Sequence, residues 1–205
     1  KNMEVMVMTS NSELRARARQ QLGGNIFSTN WLMGLVVVLI SGAILGALSF
    51  TVVGSLILTG PIMVGVSLVF VSLARGKGKV DFMDLFVGFR ESESIGNRIL
   101  TGLLTSVFTF LWSLLFVIPG IVKFYSYSMA LYISMDHPDW DWKRCIDASK
   151  KVMNGKKGKL FCLDLSFIGW MIVGSLAFGV GTLWVAAYMQ SARANFYEDI
   201  KAEIA

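Results

Sequence analysis

Apolar residues run in long unbroken blocks along this chain, and charged residues gather between the blocks. Trp31 to Ala74 carries no charge over 44 positions. A helix needs about 20 apolar residues to cross the ~30 Å hydrocarbon core of a bilayer, so this block predicts two spans and a turn. The same reading of the whole chain gives six spans, Trp31–Phe50, Ser55–Ala74, Ile99–Ile118, Ile121–Met135, Leu160–Ala177 and Gly179–Ser191. The connections Thr51–Gly54, Pro119–Gly120 and Phe178–Gly181 are short and uncharged, which predicts three tight hairpins over 31–74, 99–135 and 160–192. The expected fold class is all-α: a polytopic membrane protein with six transmembrane helices in one helical domain.

The segments between hairpins (1–30, 75–98, 136–159 and 193–205) also carry pattern. Ser10 to Glu13 has capping-box spacing, and Leu14, Ala18 and Leu22 share a helical face before Gly23-Gly24. After His137-Pro138, Asp139 is placed to cap a second helix ending near Asn154-Gly155. Trp142, Ile146 and Val152 or Met153 form its apolar stripe, opposite Lys143, Arg144, Lys150 and Lys151. A basic amphipathic helix with a tryptophan on its apolar face is suited to the membrane interface, so Trp142 and Ile146 are the candidate interfacial residues. A groove for docking a partner is the other reading. Val80 to Phe89 is a third, shorter apolar-acidic segment.

Composition agrees with the pattern: 54% hydrophobic and 16% charged, with mean hydropathy +0.59. Trp31–Phe50 is too long for the ~7–15-residue core of a signal peptide and runs into a second span. Cys145 and Cys162 lack metal or redox spacing. On the six-span reading, 18 of the 19 lysines and arginines fall on one side and only Lys123 on the other. Basic loops stay in the cytoplasm, which places both termini there and turns the excess charge toward the anionic lipids of that leaflet. No basic, aromatic-interleaved module accompanies it, so nucleic acid is not the expected partner.

Small residues let membrane helices approach closely. Gly42 and Gly46 form a Gly-x-x-x-Gly pair, with further close-approach positions at Gly60, Gly65, Gly102, Gly169 and Gly174. Gly60, Gly120 and Gly181 recur at 60- and 61-residue spacing. A triplicated unit and three hairpins of ordinary size both account for it.

Ionisable groups at membrane depth are costly and often functional. Folding the last hairpin at Phe178-Gly179 sets Asp164 opposite Arg193, with Gln190 and Asn195 close by. A structural ion pair and a proton or ion relay are both open. Lys123, near the outer end of its span, is expected to snorkel outward and to stand ~15–20 Å from Asp164. Tyr125, Tyr127, Ser128 and Tyr132 make the fourth span the most polar. They are candidate lining for a cavity holding lipid, peptide or solute, or else interhelical packing.

No phosphate loop, metalloprotease helix or nucleophile elbow is present, and no cofactor is called for. Asp136, Asp139 and Asp141 form an acidic cluster of the kind that starts solvated helices. Phe116 to Met129 (FVIPGIVKFYSYSM), Lys157 to Gly169 (KGKLFCLDLSFIG), Ala194 to Glu198 (ANFYE) and Arg17 to Leu22 (RARQQL) followed by Gly24-Asn25 resemble a bacterial family. It is the integral membrane family catalogued as domain of unknown function 975. The resemblance covers nearly the whole chain. It implies a bacterial cytoplasmic membrane, a helical fold and a relation to membrane domains attached to some glycerophosphodiester phosphodiesterases, and it carries over no catalytic residue. The expected function is a non-enzymatic membrane module that binds lipid or peptide, forms homo-oligomers or serves as a subunit of an assembly. A small transporter or channel is the alternative.

Overall fold

A computed structural model describes residues 9–48, 52–77, 79–89, 92–115, 117–176 and 179–204. Every regular element among them is a helix: α1 (Asn11–Gln21), α2 (Thr29–Leu48), α3 (Val52–Ala74), a 3-10 helix (Phe82–Phe89), α4 (Ser92–Leu115), α5 (Val117–Tyr127), α6 (Ala130–Asp136), α7 (Trp142–Val152), α8 (Lys157–Leu165), α9 (Ile168–Leu176) and α10 (Val180–Ile200), with a short 3-10 turn after it. α2 packs on α3, α4 on α5 and α9 on α10. α3 lies at the centre, touching α1, α2, α4, α6, α10 and the 3-10 helix.

Three segments are long and apolar enough to cross a membrane: Thr29–Ala47, Ile57–Ala74 and Lys157–Leu176. The other three expected spans are not of this kind among the described residues, each for its own reason. Ile121–Met135 is broken between Tyr127 and Ala130, where α5 gives way to α6. Ser126 and Ser128 turn their hydroxyls onto the carbonyls of Val122 and Tyr125 (2.8 and 2.9 Å), a local competition for backbone acceptors. The carbonyl of Ser126, at the frayed end of α5, accepts instead from Ser149 Oγ of α7 (2.8 Å). Ile99–Ile118 starts inside α4, which begins at Ser92 and runs to Leu115, and its far end lies partly outside the described residues. Gly179–Ser191 is only the first half of α10, which continues through Arg193, Glu198 and Asp199.

Two expected turns also differ. Pro119 and Gly120 sit in the first turn of α5, where a missing proline N–H breaks no helical bond. The Thr51–Gly54 turn lies partly outside the described residues, and the chain is already helical at Val52. The last hairpin turns as expected: Gly179 has φ 77°, a left-handed conformation that glycine adopts without strain. Beyond it, Gly174 and Gly181 bring α9 and α10 into backbone contact. A Cβ on Gly174 would stand 2.8 Å from the Gly181 carbonyl carbon.

The glycines divide sharply. A Cβ at Gly60 would meet the Arg98 carbonyl at 2.1 Å, and one at Gly65 the Leu85 carbonyl at 1.9 Å; Gly102 sits against Gly60. These expected contacts hold. At Gly42, Gly46 and Gly169 a Cβ would meet nothing within 4 Å among the described residues, so the Gly-x-x-x-Gly pair of α2 shows no backbone-close approach of the kind seen at Gly60 and Gly65. Gly60 also lies well inside α3 and packs on α4, whereas Gly181 packs on its own hairpin partner. The 60-residue spacing therefore does not mark equivalent positions.

Both amphipathic helices pack on the protein. α1 is capped by Ser10 (Oγ accepts from the Glu13 N–H, 3.2 Å), and its Leu14, Ala18 and Leu22 are fully buried. α7 is capped by Asp141, not Asp139, through the Arg144 N–H (3.2 Å). Its Ile146 is buried with Tyr127 and Ala130, and half-buried Trp142 joins them. The interfacial reading of Trp142 and Ile146 is thus corrected, because the apolar stripe of α7 is covered by α4, α5 and α6. The apolar surface that stays open is elsewhere: Phe110, Ile118, Ile172, Val173 and Leu176 are each more than half exposed.

Candidate functional site

Asp164, in the last turn of α8, and Arg193, on α10, meet as the hairpin geometry requires. Arg193 donates twice, from Nε to Oδ1 (2.9 Å) and from a terminal nitrogen to Oδ2 (2.7 Å). This is the fork-on-fork arrangement that makes arginine–carboxylate pairs strong and directional. The Asp164 side chain is 12% exposed and that of Arg193 24%. A third partner arrives from another hairpin: the Tyr125 hydroxyl donates to Asp164 Oδ2 (3.0 Å). Tyr125 is held edge-on between Phe124 and Phe161. One carboxylate thus ties α8 to both α10 and α5.

The expected neighbours separate. Gln190 accepts a long bond from the Tyr132 hydroxyl (3.5 Å), bringing α6 near the pair. Asn195, two residues beyond Arg193 and so about 200° around the helix, faces away and exchanges bonds with Gln21 of α1 (2.6 and 3.0 Å). Tyr127 stands at the same angular offset from Tyr125 and enters the small core beside Phe108 and Ile146. Ser128 bonds the backbone. Tyr132 is buried against the Tyr197 ring, at 5.3 Å between centroids. The four residues therefore do not line one cavity, because the break in the fourth span sends them in different directions.

Lys123 places its ammonium 4.5 Å from the centre of the Trp112 ring, a cation–π contact. It stands two residues before Tyr125 and about 200° around the helix from it, and it is engaged by the Trp112 ring while Asp164 is held by Arg193 and Tyr125.

A second polar cluster went unnoticed in the sequence. Arg75, just past α3, bridges Asp136 at the end of α6 (2.5 Å) and Glu198 on α10 (2.8 Å). The Tyr197 hydroxyl donates to the same Asp136 oxygen (2.9 Å). Burial works against the Arg75 charge, but the bonds and charges of Asp136 and Glu198 outweigh it and raise its pKa. Burial, and then the Asp136 charge, raise that of Tyr197, which stays a donor. The available signal was positional: each of the three charges follows the last apolar turn of its helix at one end of the bundle. Arg98 is the other surprise, 2% exposed and donating to the carbonyls of Val87 and Gly88 (3.4 and 3.2 Å) at the end of the 3-10 helix. Asp136 and Asp141 are thereby engaged as a salt-bridge partner and a helix cap. Among the described residues no group of metal-ligating side chains gathers.

Part-buried ion pairs link the helices, and three segments among the described residues are long and apolar enough to cross a membrane. The chain belongs to the family described as "Protein of unknown function (DUF975)", whose sequence model matches residues 6–126 and 115–203. No curated protein matches the chain. No solved structure matches it either.

Proposed function

We propose that the chain is a multi-pass, non-enzymatic module of a bacterial cytoplasmic membrane, with both termini in the cytoplasm, that binds anionic lipid. The observation that carries this reading is the division of its surface. Large apolar side chains stand open on α4, α5 and α9, including Phe110, Ile118 and Leu176 (67%, 76% and 80% exposed). A water-facing surface does not collect such residues. Basic residues of α1, α7 and the α3 end gather with the segments that positive charge keeps inside. The non-enzymatic reading is supported by how the ionisable groups are engaged. Asp164, Arg193, Arg75, Asp136 and Glu198 hold one another, and His137 stacks on Trp140 at 4.1 Å, with Arg144 also over that ring.

Carbonate extraction of membranes followed by native mass spectrometry in mild detergent tests this. The expected result is protein that resists extraction and retains phospholipid. Release by carbonate, or a bare monomer with neither lipid nor partner, counts against it; a retained copy or peptide points to an assembly subunit. A small transporter or channel is the second reading, supported by the Asp164–Arg193–Tyr125 centre. It requires flux in proteoliposomes that Asp164→Asn abolishes, with Lys123→Met as the comparison. Liposomes no leakier than empty ones exclude it.

A further inference from the structure

Between α1, the start of α2 and the α9–α10 hairpin lies an apolar recess of about 310 Å³, ligand-sized by the usual ~300–1,000 Å³. Its aromatic walls are Trp31, Trp170, Trp184 and Tyr188, and Ile26 and Arg19 complete the part that matters. The walls are fixed through their polar atoms. The Trp184 indole donates to the Ile26 carbonyl (3.0 Å), Trp31 to the Trp184 carbonyl (3.3 Å), and the Tyr188 hydroxyl to the Arg15 carbonyl (3.0 Å). With those donors engaged on backbone, the rings offer apolar faces to whatever enters.

Arg19 adds a charge at this apolar site. Its guanidinium lies over the Tyr188 ring (5.8 Å) and within 3.4 Å of the hydroxyl. Among the described residues no carboxylate pairs with it, in contrast to Arg17, Arg75 and Arg193. Ile26 and Trp170 are each about half exposed (49% and 50%), so the recess is open to the surface at these two residues. Tryptophan and tyrosine favour the level where hydrocarbon meets headgroups. An inorganic anion would leave the aromatic walls without a role, and a plain hydrocarbon would leave Arg19 without one. Both halves fit an amphiphile with a negative head.

We infer that this recess binds a single anionic phospholipid from the leaflet at the charged end of the bundle, its acyl chain among the three tryptophans and its phosphate on Arg19. The inference rests on the bilayer reading above. It is tested with the full chain in phosphatidylcholine vesicles holding a rising share of phosphatidylglycerol brominated on its acyl chain, followed by tryptophan fluorescence. Quenching should saturate at a low share of this lipid, whereas brominated phosphatidylcholine should quench only in proportion to its amount. Arg19→Gln should raise the half-quenching share about fivefold, the scale of one basic residue facing anionic lipid. Trp170→Ala, at a half-exposed position, should shift it the same way, and Lys151→Gln on α7 should leave it unchanged. Equal quenching by the two lipids, or a profile indifferent to Arg19, leaves only the general lipid shell and overturns the site while the bilayer reading stands. Absence of quenching by either lipid overturns both.

Discussion

The centre at Asp164 illustrates what a single residue contributes. Replacing it with asparagine keeps the shape and removes the charge that compensates Arg193. Stripping a buried charge of its partner costs ~3–5 kcal/mol; with the Arg193 side chain 24% exposed, Asp164→Asn should cost roughly 3 kcal/mol, the bottom of that range. Adding Arg193→Gln should recover part of the loss. Thermal unfolding in detergent, followed by circular dichroism, measures both. A double variant no more stable than the single one would show that the pair does not act as a unit. The pair was legible in the sequence because a hairpin folded near residue 178 sets positions of equal offset side by side. Tyr125 was not, because it comes from another hairpin, and no local spacing reports contacts between hairpins. Cys145 gives a pH signature. Burial, and then the Asp141 charge, push its thiol from 9.0 up to about 12. Above pH 9 the unfolded chain therefore releases a proton that the folded one keeps, so stability falls as pH rises from 9 toward about 12. Cys145→Ala should flatten that fall in denaturant titrations at pH 8 and pH 10.5.

At the level of elements, hydropathy was a good guide to where helices lie and a poor one to where they break. Ser10 and Gly23-Gly24 bounded α1 correctly, since a cap and a left-handed glycine are local features. The break between α5 and α6 involves Ser149, 23 residues away, and an apolar run carries no mark of that. Glycine spacing misled in a similar way. Gly42 and Gly46 have the pattern of a contact, yet a Cβ at either would meet nothing within 4 Å among the described residues, while Gly65 lacks the pattern and abuts a carbonyl. Substitution separates them. Gly65→Ala drives a methyl into the Leu85 carbonyl and should cost about 1–3 kcal/mol, the scale of overpacking. Gly42→Ala should be neutral or stabilise by up to about 1 kcal/mol, the difference between the two residues inside a helix. Melting temperatures of the two variants decide it, and a loss at Gly42 equal to that at Gly65 would mean α2 packs on something beyond its own chain.

On the scale of the whole molecule, one end of the bundle is a polar clasp. Arg17 reaches Asp199 (3.4 Å), Gln21 bonds Asn195, Arg75 spans Asp136 and Glu198, Asn11 donates to the Lys159 carbonyl (3.3 Å), and Lys156 pairs with Glu203. The ends of α1, α3, α6 and α10 and the start of α8 are therefore neighbours. Carrying these charges through hydrocarbon would cost several kcal/mol apiece, so on the membrane reading proposed above the clasp should lie on the side from which the chain inserts. Single-cysteine labelling tests this in a Cys162→Ser background, since Cys145 is buried. Lys151→Cys, exposed on α7, should resist an impermeant maleimide in intact cells and react once the cells are opened. Ser175→Cys, exposed near the α9–α10 turn, should react from outside. The reverse pattern would invert the protein in the membrane while leaving its packing intact. Equal labelling of both sites in intact cells would mean that α8 and α9, although long and apolar enough to cross, do not separate these positions.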